Sequence, residues 1–176
     1  MASCSLTSDY NFGCDTGAGG VYMDAYVIEL PNIAASGLTE SSGTITAITK
    51  VTGKIFRKYQ LVKETASFDE TIAGNQQNGT IFYDQKGVII INKQNVAVRN
   101  ELKYMSMQRL IWIVRDNNGL WKLYGREEGL KLLDGSITTG TAWTDRNGYT
   151  LNFTGKEREP APFVDEALIT ALQTAT

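Results

Sequence analysis

Two apolar runs, Leu110 to Arg115 and Leu120 to Arg126, face each other across Asp116-Asn117-Asn118-Gly119. Asn, Asp and Gly tolerate positive φ, so the chain is predicted to double back here as a tight β-hairpin. An isolated hairpin is marginal in water, so this pair demands further strands beside it and an apolar layer against it. The rest of the chain supplies both. Val21 to Leu30 has the tyrosine and β-branched content of a strand and stops at Pro31, which cannot donate to a ladder. Thr44 to Thr52 resumes strand composition until Gly53, and Ser67 to Ala73 reads as a short strand. Thr80 to Asn92 reads as a long strand with a bulge expected at Gly87, and Gly148 to Lys156 as a last strand with Tyr149, Leu151 and Phe153 on one face.

Lys54 to Lys63 also reads as a long strand, with mixed faces. Ile55, Tyr59 and Leu61 share a side with Arg57, and Phe56 and Val62 share one with Lys58. Ala34 to Gly43 and Gly74 to Gly79 have the composition of loops, and glycines at 125, 129, 135 and 140 punctuate the stretch before the last strand. One internal helix is signalled, from an Asn95 N-cap to about Met107, with Val98, Leu102 and Met105 on one face. Roughly eight strands, one helix, short connections and no βαβα alternation predict a mainly β protein: an antiparallel β-sandwich or partly closed barrel with one flanking α-helix. In this reading residues 1–20, glycine-rich from Tyr10, form a flexible leader. Residues 21–159 form the β domain. Residues 160–176, from Pro160, form a C-terminal arm or short helix, with Val164, Leu168 and Leu172 at helical spacing.

The chain has 176 residues, enough for one domain with a real core. Its 42% hydrophobic and 20% charged content predicts folding rather than disorder. A formal charge of −2 supplies no overall positive field for gripping nucleic acid. The chain contains no histidine, which removes the side chain most used as general base, metal ligand and pH switch, and it is read as not an enzyme. Cys4 and Cys14 are expected to be reduced and unpaired, and two thiols fall short of a zinc site. Met1 to Leu6 lacks the charged and apolar regions of a secretory signal. Val88 to Ile91 and Leu110 to Val114 are strand-sized, far below the roughly 20 residues of a membrane span, so no membrane contact is expected.

Four constellations invite a chemical reading. Gly17-Ala18-Gly19-Gly20 has the composition of a phosphate loop, but it precedes a strand where such loops open a helix. Gly155-Lys156 lacks the remaining Walker residues and reads as a turn. Arg126-Glu127-Glu128 and Asp134 cluster carboxylates near one hairpin, as a glycosidase would, although solvated or interface charges explain them as well. Trp112, Trp121, Trp143 and the eight tyrosines would suit a sugar- or base-stacking platform, or the core and a subunit interface. No catalytic, cofactor-binding or metal-binding residue is assigned, and no cofactor is expected.

Taken as a unit, the second half of the chain carries a resemblance. It runs through Arg99-Asn100-Glu101-Leu102-Lys103, Arg109 to Asp116 with Asn118-Gly119, and Tyr124-Gly125-Arg126-Glu127-Glu128-Gly129-Leu130. It continues through Gly140-Thr141-Ala142, Asp145-Arg146-Asn147-Gly148-Tyr149, and Phe153-Thr154-Gly155-Lys156-Glu157 before Pro160-Ala161-Pro162. This pattern of turns and strands, from about Lys54 to Val164, resembles tail-tube-like virion structural proteins of phages infecting Bacteroidetes. The resemblance implies a phage tail-tube-like subunit that self-assembles into rings, typically hexamers, stacked around a DNA channel. Its partners would be itself, other phage tail proteins and genomic DNA passing through the lumen without specific binding. The protein would be made in the host bacterial cytoplasm and end in the virion tail. A head-tail connector or tail-terminator ring is the nearest alternative, and a carbohydrate-binding or adhesion module using the tryptophans is a second. The leader, the loop around Ser36 to Ser42, Glu64 to Asn78 and the C-terminal arm are the expected ring contacts, since exposed segments can order on assembly.

Overall fold

The computed structural model describes residues 8–10 and 16–175, so the expectations for Cys4 and Cys14 lie outside the described residues. The protein is mainly β, built from two sheets. The first half contributes β1 (Val21–Glu29), a 3-10 turn at Leu30–Asn32, β2 (Ile33–Ser41), β3 (Thr44–Lys50), β4 (Arg57–Gln60), β5 (Ser67–Asn75) and β6 (Thr80–Asn92). Helix α1 (Val96–Met105) precedes β7 (Leu110–Asp116), β8 (Trp121–Tyr124), β9 (Lys131–Thr138), β10 (Gly148–Glu157), β11 (Phe163–Val164) and the single turn α2 (Glu166–Ile169). Seven strands form one sheet in the order β2-β3-β11-β8-β7-β1-β4, and four form the other in the order β5-β6-β10-β9. Pairing is antiparallel except between β3 and β11. Neither sheet closes into a barrel among the described residues.

The hairpin that constrained the sequence reading lies inside the larger sheet. Leu110 to Val114 is buried at every position because both faces of β7 are covered, as a continuous apolar run requires. Leu110, Trp112 and Val114 enter a core between the two sheets with Ala25, Val27, Ile89, Tyr149, Leu151 and Phe153. Trp112 is its centre, with ring centroids 5.1 Å from Phe153, 5.6 Å from Tyr59 and 5.9 Å from Phe68. Ile111 and Ile113 point the other way, into a second core with Tyr26, Ile28, Ile45, Phe56, Trp121 and Leu123. The C-terminal segment covers that second core with Val164, Leu168, Ile169 and Leu172. Buried Lys50 holds the segment down, its Nζ donating to the carbonyls of Ala171 at 2.9 Å, Leu172 at 3.3 Å and Thr174 at 2.5 Å. Burial pushes the pKa of that ammonium below its ordinary value.

Several expected elements are present: β1, β3, β5, β6, β10, the β7–β8 hairpin and α1, whose Asn95 cap accepts from the N–H of Val98 at 2.8 Å. Four expectations need correction. Ala34 to Gly43 is not a loop: its small residues form most of edge strand β2, whose register on β3 shifts twice. Lys54 to Lys63 is not a long strand. Only Arg57–Gln60 pairs with β1, because Phe56 turns into the second core while Tyr59 and Leu61 turn into the first. Gly87 is not a bulge, since pairing runs unbroken through it on both sides. It is glycine because the Phe68 ring lies where a Cβ would stand, 2.6 Å from the nearest ring atom. Gly155-Lys156 is not a turn but lies within β10, opposite Gln85 and Asp84. Strand β9 falls in the stretch that sequence read only as glycine-punctuated, and the C-terminal segment packs on its own chain through β11 and Leu172.

Candidate functional site

The structure disperses the catalytic and ligand-binding candidates. Gly17 to Gly20 forms no anion cradle; it lies along the β7–β8 turn. There the N–H of Ala18 donates to Asn118 Oδ1 at 2.7 Å, and Asn117 Nδ2 donates to the carbonyl of Gly19 at 2.6 Å. Glu127 and Glu128 sit on the turn after β8, and Glu128 pairs with Arg109 at 3.5 Å. Asp134 is on β9, where it accepts from Asn152 Nδ2 at 3.2 Å. Arg126 bridges Glu40 and Glu159. Trp112 and Trp121 are core residues, and only Trp143 reaches solvent. No group of three or more metal-ligating side chains is found among the described residues, and no helix there is long and apolar enough to cross a membrane.

A buried polar network, unforeseen from sequence, locks the end where the two sheets meet. Glu157, 2% exposed, accepts from the N–H groups of Glu127 at 2.9 Å, Glu128 at 3.1 Å and Gly129 at 3.1 Å. Burial nevertheless pushes its pKa above the ordinary glutamate value, against the opposing effect of those three donors. Beside it, Gln85 accepts from the N–H of Gly125 at 2.8 Å and donates to Glu70 at 2.8 Å, and Glu70 also accepts from the N–H of Ala161. Each side chain satisfies backbone donors that the turns leave unpaired, so the network is structural. One signal was legible: along β6, Gln85 stands at an inward position between Tyr83 and Gly87, where a polar group must find a partner.

The chemistry left unfinished is on the four-stranded sheet. In the larger sheet, edge β4 is only four residues long and edge β2 is bulged, both common ways of blunting an edge. The edges of the smaller sheet are nine-residue β5, whose pairing with β6 is unbroken, and eight-residue β9, whose register on β10 shifts at Leu133; neither has a strand beyond it among the described residues. Large apolar side chains gather on the same sheet: Ile72 and Ile81 on the β5–β6 hairpin, and Leu133 and Ile137 on β9, are all exposed. Its outward face carries mixed charge, with Asp69, Asp84 and Asp134 against Lys86, Lys131 and Lys156 at outward positions of the ladder, and the Arg146 guanidinium donating to outward Thr150. Trp143 stands at the tip of the β9–β10 loop, 107% exposed. That loop is ordered by Asp145, which accepts from the N–H groups of Thr141 at 2.7 Å and Ala142 at 2.8 Å; these bonds pull its pKa below the usual value. Comparison with protein-family models, curated proteins and solved structures returns no match.

Proposed function

We propose that the protein is a phage virion structural subunit of the tail-tube type, copies of which join side by side into rings that stack around a channel for DNA. The observation that carries this reading is the pair of strand edges, β5 and β9, at opposite sides of one four-stranded sheet. An edge of one copy laid against the opposite edge of the next is a heterologous contact, which closes into a ring when the rotation permits. The four-stranded sheets would then run on from copy to copy as a continuous cylinder, and the exposed row of backbone N–H and C=O groups would become the assembly bond.

The outward face of that sheet suits a channel lining. Three carboxylates against three lysines and Arg146 leave only a small net charge, so a DNA duplex is neither trapped by phosphate contacts nor strongly repelled. The buried network around Glu157 and Gln85 fits a scaffold role, since it fixes backbone and presents no reactive group to solvent. Six copies per ring follow from the resemblance of the second half of the chain to tail-tube-like proteins.

Negative-stain electron microscopy and light scattering on the purified protein test the reading. Annuli and stacked annuli are expected. Placing lysines on the β9 edge, Leu133→Lys with Ile137→Lys, is expected to leave a folded monomer with unchanged far-UV circular dichroism and no rings. A parent protein that stays monomeric at high concentration overturns the proposal. Single rings that never stack move the assignment to a connector or tail terminator.

A further inference from the structure

We infer that Asn78 is a self-modification site, its side-chain amide converting to a carboxylate through attack by the Gly79 peptide nitrogen. The chain holds three Asn-Gly pairs, Asn78-Gly79, Asn118-Gly119 and Asn147-Gly148. In each, the glycine has no side chain to keep its peptide nitrogen away from the neighbouring amide carbon, so sequence alone makes the three equally reactive. The reaction needs that nitrogen to swing onto Cγ of the asparagine. It therefore requires a free side-chain amide, a weakly held glycine N–H and a backbone able to rotate, and the fold supplies these unequally.

Two of the pairs are held shut. Asn118 is fixed at both ends of its amide: Oδ1 accepts from the N–H of Ala18 at 2.7 Å, and Nδ2 donates to the carbonyl of Ala18 at 2.8 Å and to Asp116 Oδ2 at 3.2 Å. The N–H of Gly119 is itself donated to the carbonyl of Asp116 at 3.2 Å. At Asn147 it is the backbone that is held. Its carbonyl accepts from the N–H of Lys93 at 2.6 Å, and buried Gly148 opens β10 between Asn92 of β6 and Thr138 of β9. A Cβ at Gly148 would stand 2.2 Å from the carbonyl oxygen of Ile91, so this glycine is tightly packed against β6.

Asn78 meets all three requirements. It lies in the turn that joins β5 to β6, between Asn75 and Thr80, and is exposed along with both neighbours. The turn is tied through Asn75 Oδ1, which accepts from the N–H groups of Gln77 at 2.9 Å and Asn78 at 3.2 Å. The side-chain amide of Asn78 has no hydrogen-bond partner among the described residues. The N–H of Gly79 reaches the carbonyl of Gln76 only at 3.4 Å, beyond the usual length of such a bond. A Cβ at Gly79 would meet nothing within 4 Å, so the peptide has room to turn. In the reaction the Gly79 nitrogen gives its proton to hydroxide and bonds to Cγ of Asn78, and Nδ2 leaves as ammonia with a proton from water. Water then opens the cyclic imide to an aspartyl or an iso-aspartyl residue. No charged residue lies between Thr71 and Tyr83, so conversion gives this end of the hairpin its first carboxylate and takes the formal charge of −2 one unit lower.

The test uses the full folded chain, held in mildly alkaline buffer and sampled over time by peptide mass spectrometry, with a parallel sample unfolded in urea. In the folded protein Asn78 is expected to convert at least about tenfold faster than Asn118 or Asn147, since those two must first open locally. In urea the three rates are expected to agree within about threefold, because the unfolded chain frees all three pairs. Anion exchange is expected to resolve a more acidic species that grows with the same time course and does not form from Asn78→Ser. A smaller lead for Asn78 in the folded protein overturns the inference. So does a urea sample that keeps the folded order and spacing of rates, since the sequence and not the fold would then set them. None of these outcomes depends on whether the protein forms rings.

Discussion

Strands β7 and β6 carry nearly interchangeable apolar runs, Leu-Ile-Trp-Ile-Val at 110–114 and Val-Ile-Ile-Ile at 88–91, yet they meet different surroundings. Every residue of the first is buried, because one core lies between the sheets and the C-terminal segment covers the opposite face. In the second only Ile89 is fully buried, and Val88 and Ile90 stay partly exposed on a face that no other element covers among the described residues. Among the described residues the larger sheet is thus covered on both faces at its centre, and the smaller one is bare on one face and unpaired along both edges. An apolar strand identifies a preference for burial; it does not say how far the rest of the chain covers it.

That contrast can be broken most violently at its buried end. Trp112→Ala removes the ring around which Phe153, Tyr59 and Phe68 pack, and should cost about 3–5 kcal/mol in denaturant unfolding of the monomer. A loss below about 1 kcal/mol would mean that the site is not the close-packed centre described.

At the junction of the sheets, Glu157→Ala leaves the N–H groups of Glu127, Glu128 and Gly129 without their acceptor, at a cost of about 1–3 kcal/mol. The pH dependence follows from the raised pKa of Glu157. The native state holds this proton more tightly than the unfolded chain does. The associated stability is therefore full below the ordinary glutamate pKa and declines as pH rises through the raised value. Urea unfolding between about pH 4 and 7 should show that decline in the parent and lack its Glu157 component in the alanine variant; parallel curves would remove the assignment.

The smallest effect on the monomer belongs to the bare sheet. Leu133→Ser on the β9 edge should change monomer stability by no more than about 0.5 kcal/mol. It should nevertheless reduce ring yield, and a stable variant with full ring yield would show that this edge is not the lateral contact.

Local chemistry made much of the fold readable. The Asp-Asn-Asn-Gly turn, the Asn95 cap with Val98, Leu102 and Met105, and the alternation of Tyr149, Leu151 and Phe153 each express a preference that one segment satisfies alone. Strand β2, with its Ala-Ala-Ser-Gly start, has no such signal, and it is extended because β3 offers a ladder beside it. Strand β9 was hidden in the same way, its Lys-Leu-Leu-Asp-Gly-Ser order broken by a register shift against β10. Of the candidate site, Trp143 was legible as a residue type, but nothing in its neighbours distinguished it from buried Trp112 and Trp121. The Glu157 network joins residues from four parts of the chain.

The sequence by itself determined that this chain is mainly β, where its tightest hairpin turns and where its one long helix starts, because backbone conformation and side-chain period are set by near neighbours. Tertiary structure alone decided which apolar strand is sealed and which stays bare, and that one tryptophan of three stands in solvent. Burial depends on what packs above a residue, and here those covering groups come from more than fifty positions away, as Leu172 does over Ile111 and Ile113.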